Sequence, residues 1–227
     1  MQRRLILNNA ARRLAMATKP ILFLDTCVML DIFRVVDRVN NYNPFNVYVE
    51  LAKKVKQHDV NIVYNDTVLS EYRYNAPTVV QEQRSKIQSL NRRWNAFRSM
   101  KEKTKVENEV NLSVDKIIRA AESTLSAIIK DAIIVKDYDS ALRSSYDVVL
   151  KHKAPAVRDS QFKDAYIFKT CLDLAKKSGK QIIFCSANTK DYCEDNGSKK
   201  VHPDILAQAA SNNVIVTLSI GDAFGKL

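Results

Sequence analysis

Residues 21–25 read Ile-Leu-Phe-Leu-Asp, four apolar side chains in a row and then an acid. A strand with one face in water alternates apolar and polar residues, whereas a strand with no alternation is covered on both faces. The pattern returns in Ile182-Ile183-Phe184-Cys185, inside a strand expected over 181–186, and in Val214 to Leu218. Asn61 to Tyr64 is a further short strand. Between these runs the apolar spacing is helical. Val28, Met29, Ile32 and Phe33 begin a helix after Asp25, and Phe45, Val49, Leu51, Ala52 and Val55 mark one over 45–58. Ala165, Phe168, Cys171, Leu172 and Leu174 mark another over 162–177, with Gly179 suited to close it. His202-Pro203-Asp204 opens a short helix through Ala210. Doubly covered strands separated by helices require a parallel sheet with helices on both sides, an α/β fold of three-layer α/β/α type.

The 227 residues fit a single domain, with a helical insertion at 78–153. Asp66 or Thr67 is the expected N-cap of the helix carrying Glu71, and Pro77 its expected end. Val80, Ile87, Leu90, Trp94 and Phe97 then form one helical stripe, so both aromatic residues are expected in the core. A turn is expected within Lys101 to Val110. Ile117 to Ile133 and Asp139 to Leu150 read as two more helices, with no strand signal among them. Residues 1–19 contain Arg3, Arg4, Arg12, Arg13 and Lys19 and no acid. They are expected to form a basic amphipathic helix against the core, an organellar leader being the alternative.

The chemistry is expected at the carboxyl ends of the strands, where open parallel sheets bind ligands. Asp25 follows the first strand, Glu71 lies a helical turn beyond the second, and Asp191 lies just past the strand ending at Ser186; Asp164 stands near the start of the helix preceding that strand. One such acid can be a helix cap. Several on one edge repel one another unless cations lie between them. Hard ions such as Mg²⁺ and Mn²⁺ take oxygen ligands, and with them a site can activate water against a phosphodiester. A net charge of +11 around such a pocket suits a polyanionic partner.

Four segments, taken in order, resemble the motifs of the PIN domain family: Ile21-Leu22-Phe23-Leu24-Asp25-Thr26, Leu69-Ser70-Glu71-Tyr72, Phe162-Lys163-Asp164-Ala165 and Phe184-Cys185-Ser186-Ala187-Asn188-Thr189-Lys190-Asp191-Tyr192. The resemblance spans roughly residues 20–220, and the long helical stretch is similar to a larger branch of toxin and defence ribonucleases. It implies a ribonuclease dependent on Mg²⁺ or Mn²⁺, with Asp25, Glu71, Asp164 and Asp191 as catalytic metal ligands. Asn188 stands where many PIN proteins carry an Asp, and is expected to offer a carbonyl oxygen to metal or substrate. Thr26 is expected to hydrogen-bond the first ligand or a phosphate, and Lys163 to touch nucleic acid. RNA is favoured over DNA. An inhibitory antitoxin protein and further copies of the chain are the other partners the resemblance admits. A non-catalytic PIN-like module that binds nucleic acid or protein is the alternative.

From Arg84 to Lys105 the chain holds Arg84, Lys86, Arg92, Arg93, Arg98, Lys101, Lys103 and Lys105 against Glu102 alone. Arg84, Arg92 and Arg93 are the expected phosphate contacts. Asp31 is expected exposed on its helix, Asp159 is a loop acid or a support for the site, and Cys27 has no histidine near it to make it a nucleophile. A phosphatase built on the same strand-end Asp needs a second Asp two residues on, where Cys27 stands, and no phosphate-binding glycine loop occurs. The four cysteines form no C-x-x-C pair, consistent with a reducing cytoplasm, and no apolar run is long enough for a membrane span.

Overall fold

The computed structural model describes residues 3–34, 44–101, 113–151, 153–156, 162–195 and 198–227. Asp159, Lys103, Lys105 and most of the expected turn in 101–110 lie outside them. Six strands form one all-parallel sheet: β1 (Arg3–Leu5), β2 (Ile21–Leu24), β3 (Asn61–Asn65), β4 (Ile133–Val135), β5 (Ile182–Cys185) and β6 (Val214–Thr217). Their order is β1-β4-β3-β2-β5-β6. Every residue of β2, β4 and β5 is buried, as unbroken apolar runs require.

The helices are α1 (Leu7–Ala15), α2 (Thr26–Asp31), α3 (Pro44–Lys56), α4 (Asp66–Lys101), α5 (Val114–Ile129), α6 (Asp139–Leu150), α7 (Phe162–Ser178), α8 (Thr189–Tyr192), α9 (Pro203–Ser211) and α10 (Ile220–Phe224). α3 packs against α5 and α10, and α7 against α1 and α6. Right-handed crossovers put these groups on opposite faces, because the chain moves one way from β2 to β3 and the other way from β4 to β5. The result is a three-layer α/β/α domain. Between β2 and β5 the direction of winding reverses, and the crevice beyond their carboxyl ends is where such sheets bind ligands. Phe23, Phe168, Phe184 and Tyr192, all fully buried, form an aromatic cluster directly beneath it, with ring centroids 5.3–6.0 Å apart.

Several expectations fail for identifiable reasons. The stretch expected to be helical throughout contains β4, at the sheet's interior between β1 and β3; three apolar residues cannot be told from the tail of a helical stripe by periodicity. The basic N-terminal segment begins with β1, whose Arg4 pairs with Ile134, before its helix starts at Leu7. Pro77 does not end its helix but sits inside α4. Pro77 and Arg73 are both exposed, so the carbonyl that loses its N–H partner lies on the solvent side, where the loss is cheapest. Trp94 and Phe97 are 44% and 51% exposed: α4 outruns the core, which it last meets at Ile87. The Asp31 side chain is only 11% exposed and pairs with Arg34 at 3.3 Å.

The helix carrying Glu71 is capped one residue earlier than expected, by buried Asn65. Its Oδ1 accepts from the Val68 N–H at 3.0 Å, and its Nδ2 donates to Thr170 Oγ1 at 3.3 Å, tying the start of α4 to α7. Asn65→Ala should cost about 1–2 kcal/mol, read as a lower urea midpoint with an unchanged slope.

Candidate active site

Asp25 ends β2 and is 2% exposed. It does cap α2, since its Oδ1 accepts from Thr26 N at 2.6 Å. Capping accounts for one oxygen. The other, Oδ2, accepts from Ser186 Oγ at 2.6 Å and from the Cys27 thiol at 3.2 Å. Burial pushes the Asp25 pKa up; donors from Ser186, Cys27 and Thr26 pull it back, and the nearby Glu71 charge adds to the rise.

Glu71, a turn and a half into α4, is held by two groups. Thr26 Oγ1 donates to its Oε2 at 2.8 Å, and Lys163 Nζ stands 3.2 Å from its Oε1. Thr26 therefore links the first acid to the second through its backbone and its side chain. Lys163 reaches the cluster from the start of α7 with its side chain 66% exposed.

Asp164 follows Lys163 in the first turn of α7. Tyr192 fixes that turn by donating its hydroxyl to the Asp164 carbonyl at 3.0 Å. Asn188 Nδ2 donates to Asp164 Oδ1 at 3.1 Å and to Asp191 Oδ2 at 2.7 Å, so it bridges the third and fourth acids by its amide N–H groups. The Asp164 pKa is pushed up to about 8, first by burial, then by the charges of Asp25 and Asp191, against the Asn188 bond and with Glu71 adding to the rise. Asp191 is buried on α8, and its Oδ1 has no hydrogen-bond partner among the described residues. Buried oxygens of this kind call for a donor or an ion.

The four acids expected from the sequence thus meet at the β2/β5 crevice, joined by Thr26, Ser186, Asn188 and Lys163. Sequence reasoning passed over Ser186, whose Oγ also accepts from Asn188 N at 3.1 Å and so connects the two halves of the cluster. A small hydroxyl at the end of a fully apolar strand was the available signal. Cys27 is the other neighbour: its sulfur accepts from Ala187 N at 3.0 Å, and burial followed by the Asp25 charge pushes its pKa well above the ordinary thiol value. It is a thiol and no nucleophile. All four cysteines are free.

Among the described residues, no three His, Cys, Asp or Glu side chains stand close enough to hold a metal ion as arranged. The donor chemistry fits a hard cation all the same: four carboxylates, an amide and one orphaned buried oxygen. Lys163 now stands on a Glu71 oxygen, and Asn188 on one oxygen each of Asp164 and Asp191. The expected nucleic-acid contacts divide. Lys163 belongs to the acid cluster, Arg84 pairs with Asp115 of α5 at 2.6 Å, and Arg92 and Arg93 are exposed on the outer part of α4.

A parallel sheet with acids gathered at its switch point is the architecture of a nuclease of the PIN kind. A model of the PIN domain family matches residues 22–192, and the chain belongs to that family. Proteins of this family are generally nucleases, often dependent on divalent metal, and bind nucleic acid. No curated protein and no solved structure matched the chain. No helix among the described residues is long and apolar enough to cross a membrane.

Proposed function

We propose that the protein is an endoribonuclease that hydrolyses phosphodiester bonds with Mg²⁺ or Mn²⁺ held by Asp25, Glu71, Asp164 and Asp191. The observation that carries this reading is geometric: Asp25, Glu71, Asp164 and Asp191 gather at one crevice through Thr26, Ser186 and Asn188, with a buried Asp191 oxygen left without a donor among the described residues. Carboxylates packed this way repel one another when ionised, and a bound cation relieves that cost. A bound ion supplies Lewis acidity at the phosphate and a water of lowered pKa.

The chain's own groups prepare that chemistry. Ser186 and Thr26 orient Asp25, and the backbone bond from Tyr192 sets where Asp164 projects. Asn188 keeps Asp164 and Asp191 together while adding no charge, so the cluster repels an incoming phosphate less than a fifth acid would. Lys163, now beside Glu71 and largely exposed, would be within the cluster's reach to hold a phosphate oxygen if a cation were bound by that carboxylate. The preference for RNA and a toxin or defence setting with an inhibitory partner protein rest on the resemblance of the four motifs. The same resemblance supports reading 78–153 as an insertion in one domain.

A binding module without catalysis is the second reading, favoured by the absence of ligand-distance spacing among the acids. Purified protein separates the two. Single-stranded RNA should be cut in Mn²⁺ or Mg²⁺ and remain whole in chelator. Intact RNA and DNA at micromolar protein with either metal would leave only the binding module.

A further inference from the structure

We propose that the outer part of α4 is a platform for single-stranded nucleic acid, on which Trp94 and Phe97 stack bases and Arg93 holds phosphate. The inference takes its partner class from the nuclease reading. It stands on the aromatic residues that the structure moves out of the core.

From Arg92 to Phe97 every side chain is exposed. Leu90, Trp94 and Phe97 occupy positions i, i+4 and i+7 and so share one face of the helix. They are 41%, 44% and 51% exposed, and the two rings lie 6.2 Å apart with a tilt of 35°. Large apolar groups in such a row mark a binding surface. Charge chooses the occupant: no acid occurs from Arg84 to Lys101, and Arg93, three residues after Leu90 and four before Phe97, flanks the stripe. Exposed rings beside arginines suit unstacked bases on a phosphate chain, because stacking is sequence-tolerant and the backbone supplies the anions. A duplex keeps its base faces covered and cannot use the rings.

The platform also shares its helix with one of the acids. Trp94 and Glu71 sit on one helix, on the order of 35 Å apart at about 1.5 Å per residue. A strand resting on the rings and reaching the crevice must therefore be several nucleotides long, and short fragments lose the anchor.

Trp94 is the single tryptophan of the chain, so its emission reports on the platform directly. The test uses full-length Asp25→Asn protein in chelator, with a single strand of about twelve uridines and a duplex of equal length. The single strand should quench the emission and bind more tightly than the duplex. Trp94→Ala and Phe97→Ala should each weaken single-strand binding on the order of tenfold, while Trp94→Phe keeps most of it. Arg93→Ala should lower the salt slope by about one, and Trp94→Ala should leave it unchanged. Wild-type affinity in Trp94→Ala overturns the proposal. So does emission that shifts with protein concentration alone in a chain sedimenting as a dimer, which would make the stripe a protein contact. Quenching in a wild-type protein that cuts nothing would keep the platform and refute the nuclease.

Discussion

Asp25→Asn is expected to reduce metal-dependent cleavage of RNA on the order of a thousandfold or more, with RNA affinity and folding retained. The substitution keeps the shape of the side chain and the Oδ1 acceptor that caps α2. It removes the charge at the centre of the cluster, where the proposed cation would be held. Folding should not suffer, because burial already disfavours the ionised form of Asp25 and a neutral amide avoids that penalty. Ser186 Oγ, now the donor to Oδ2, can rotate to accept from the new amide. The measurement is single-turnover cleavage of a labelled RNA beside a binding isotherm in chelator. Cleavage by the variant at the wild-type rate would remove Asp25 from the chemistry, and with it the metal centre.

Asp164→Asn is expected to abolish cleavage and, in chelator, to stabilise the protein at alkaline pH. The carboxyl has a pKa of about 8 in the folded chain and about 4 in an unfolded one. Between those values the folded state binds a proton that the unfolded state has released. Stability therefore falls as pH rises from about 4 to about 8, and levels off above. Asparagine imitates the protonated side chain at every pH, so this contribution vanishes in the variant. Its advantage should grow from close to nothing at pH 4 to several kcal/mol at pH 8.5, at about 1.4 kcal/mol per pKa unit, read from urea midpoints in chelator. Manganese should then raise the melting temperature of the wild type at pH 8.5 and leave the variant unmoved, since a ligand stabilises only the fold that binds it. Parallel stability profiles for the two proteins would mean that Asp164 does not feel its neighbours.

Much of this site was legible because a strand buried on both faces announces its own end. Ile21 to Leu24 and Ile182 to Cys185 located the crevice, and the acids just beyond them followed. What stayed hidden depended on partners distant in sequence. Asn188 read as a deficient ligand; only the folded chain shows its amide spanning Asp164 and Asp191. Lys163 read as a phosphate contact, and its nearer bond is to Glu71. Trp94 and Phe97 continue the periodicity of a buried stripe, and periodicity carries no record of where the core stops. β1 and β4 escaped for a related reason: three residues hold no period, and their identity as strands lies in pairing Arg3 with Ile133 across the chain.

The pairing of β2 with β5 sets Leu22 against Ile183, so the first acid waits for the last third of the polypeptide. At about 5–20 residues per second on a ribosome, Asp25 and Glu71 precede Asp164 by several seconds of synthesis. The central strand cannot acquire its second neighbour until then, and sheets that depend on such remote closure form late and slowly. A nascent or prematurely ended chain thus carries half of the acids and no crevice, and the four acids come together in one step with the completion of the sheet.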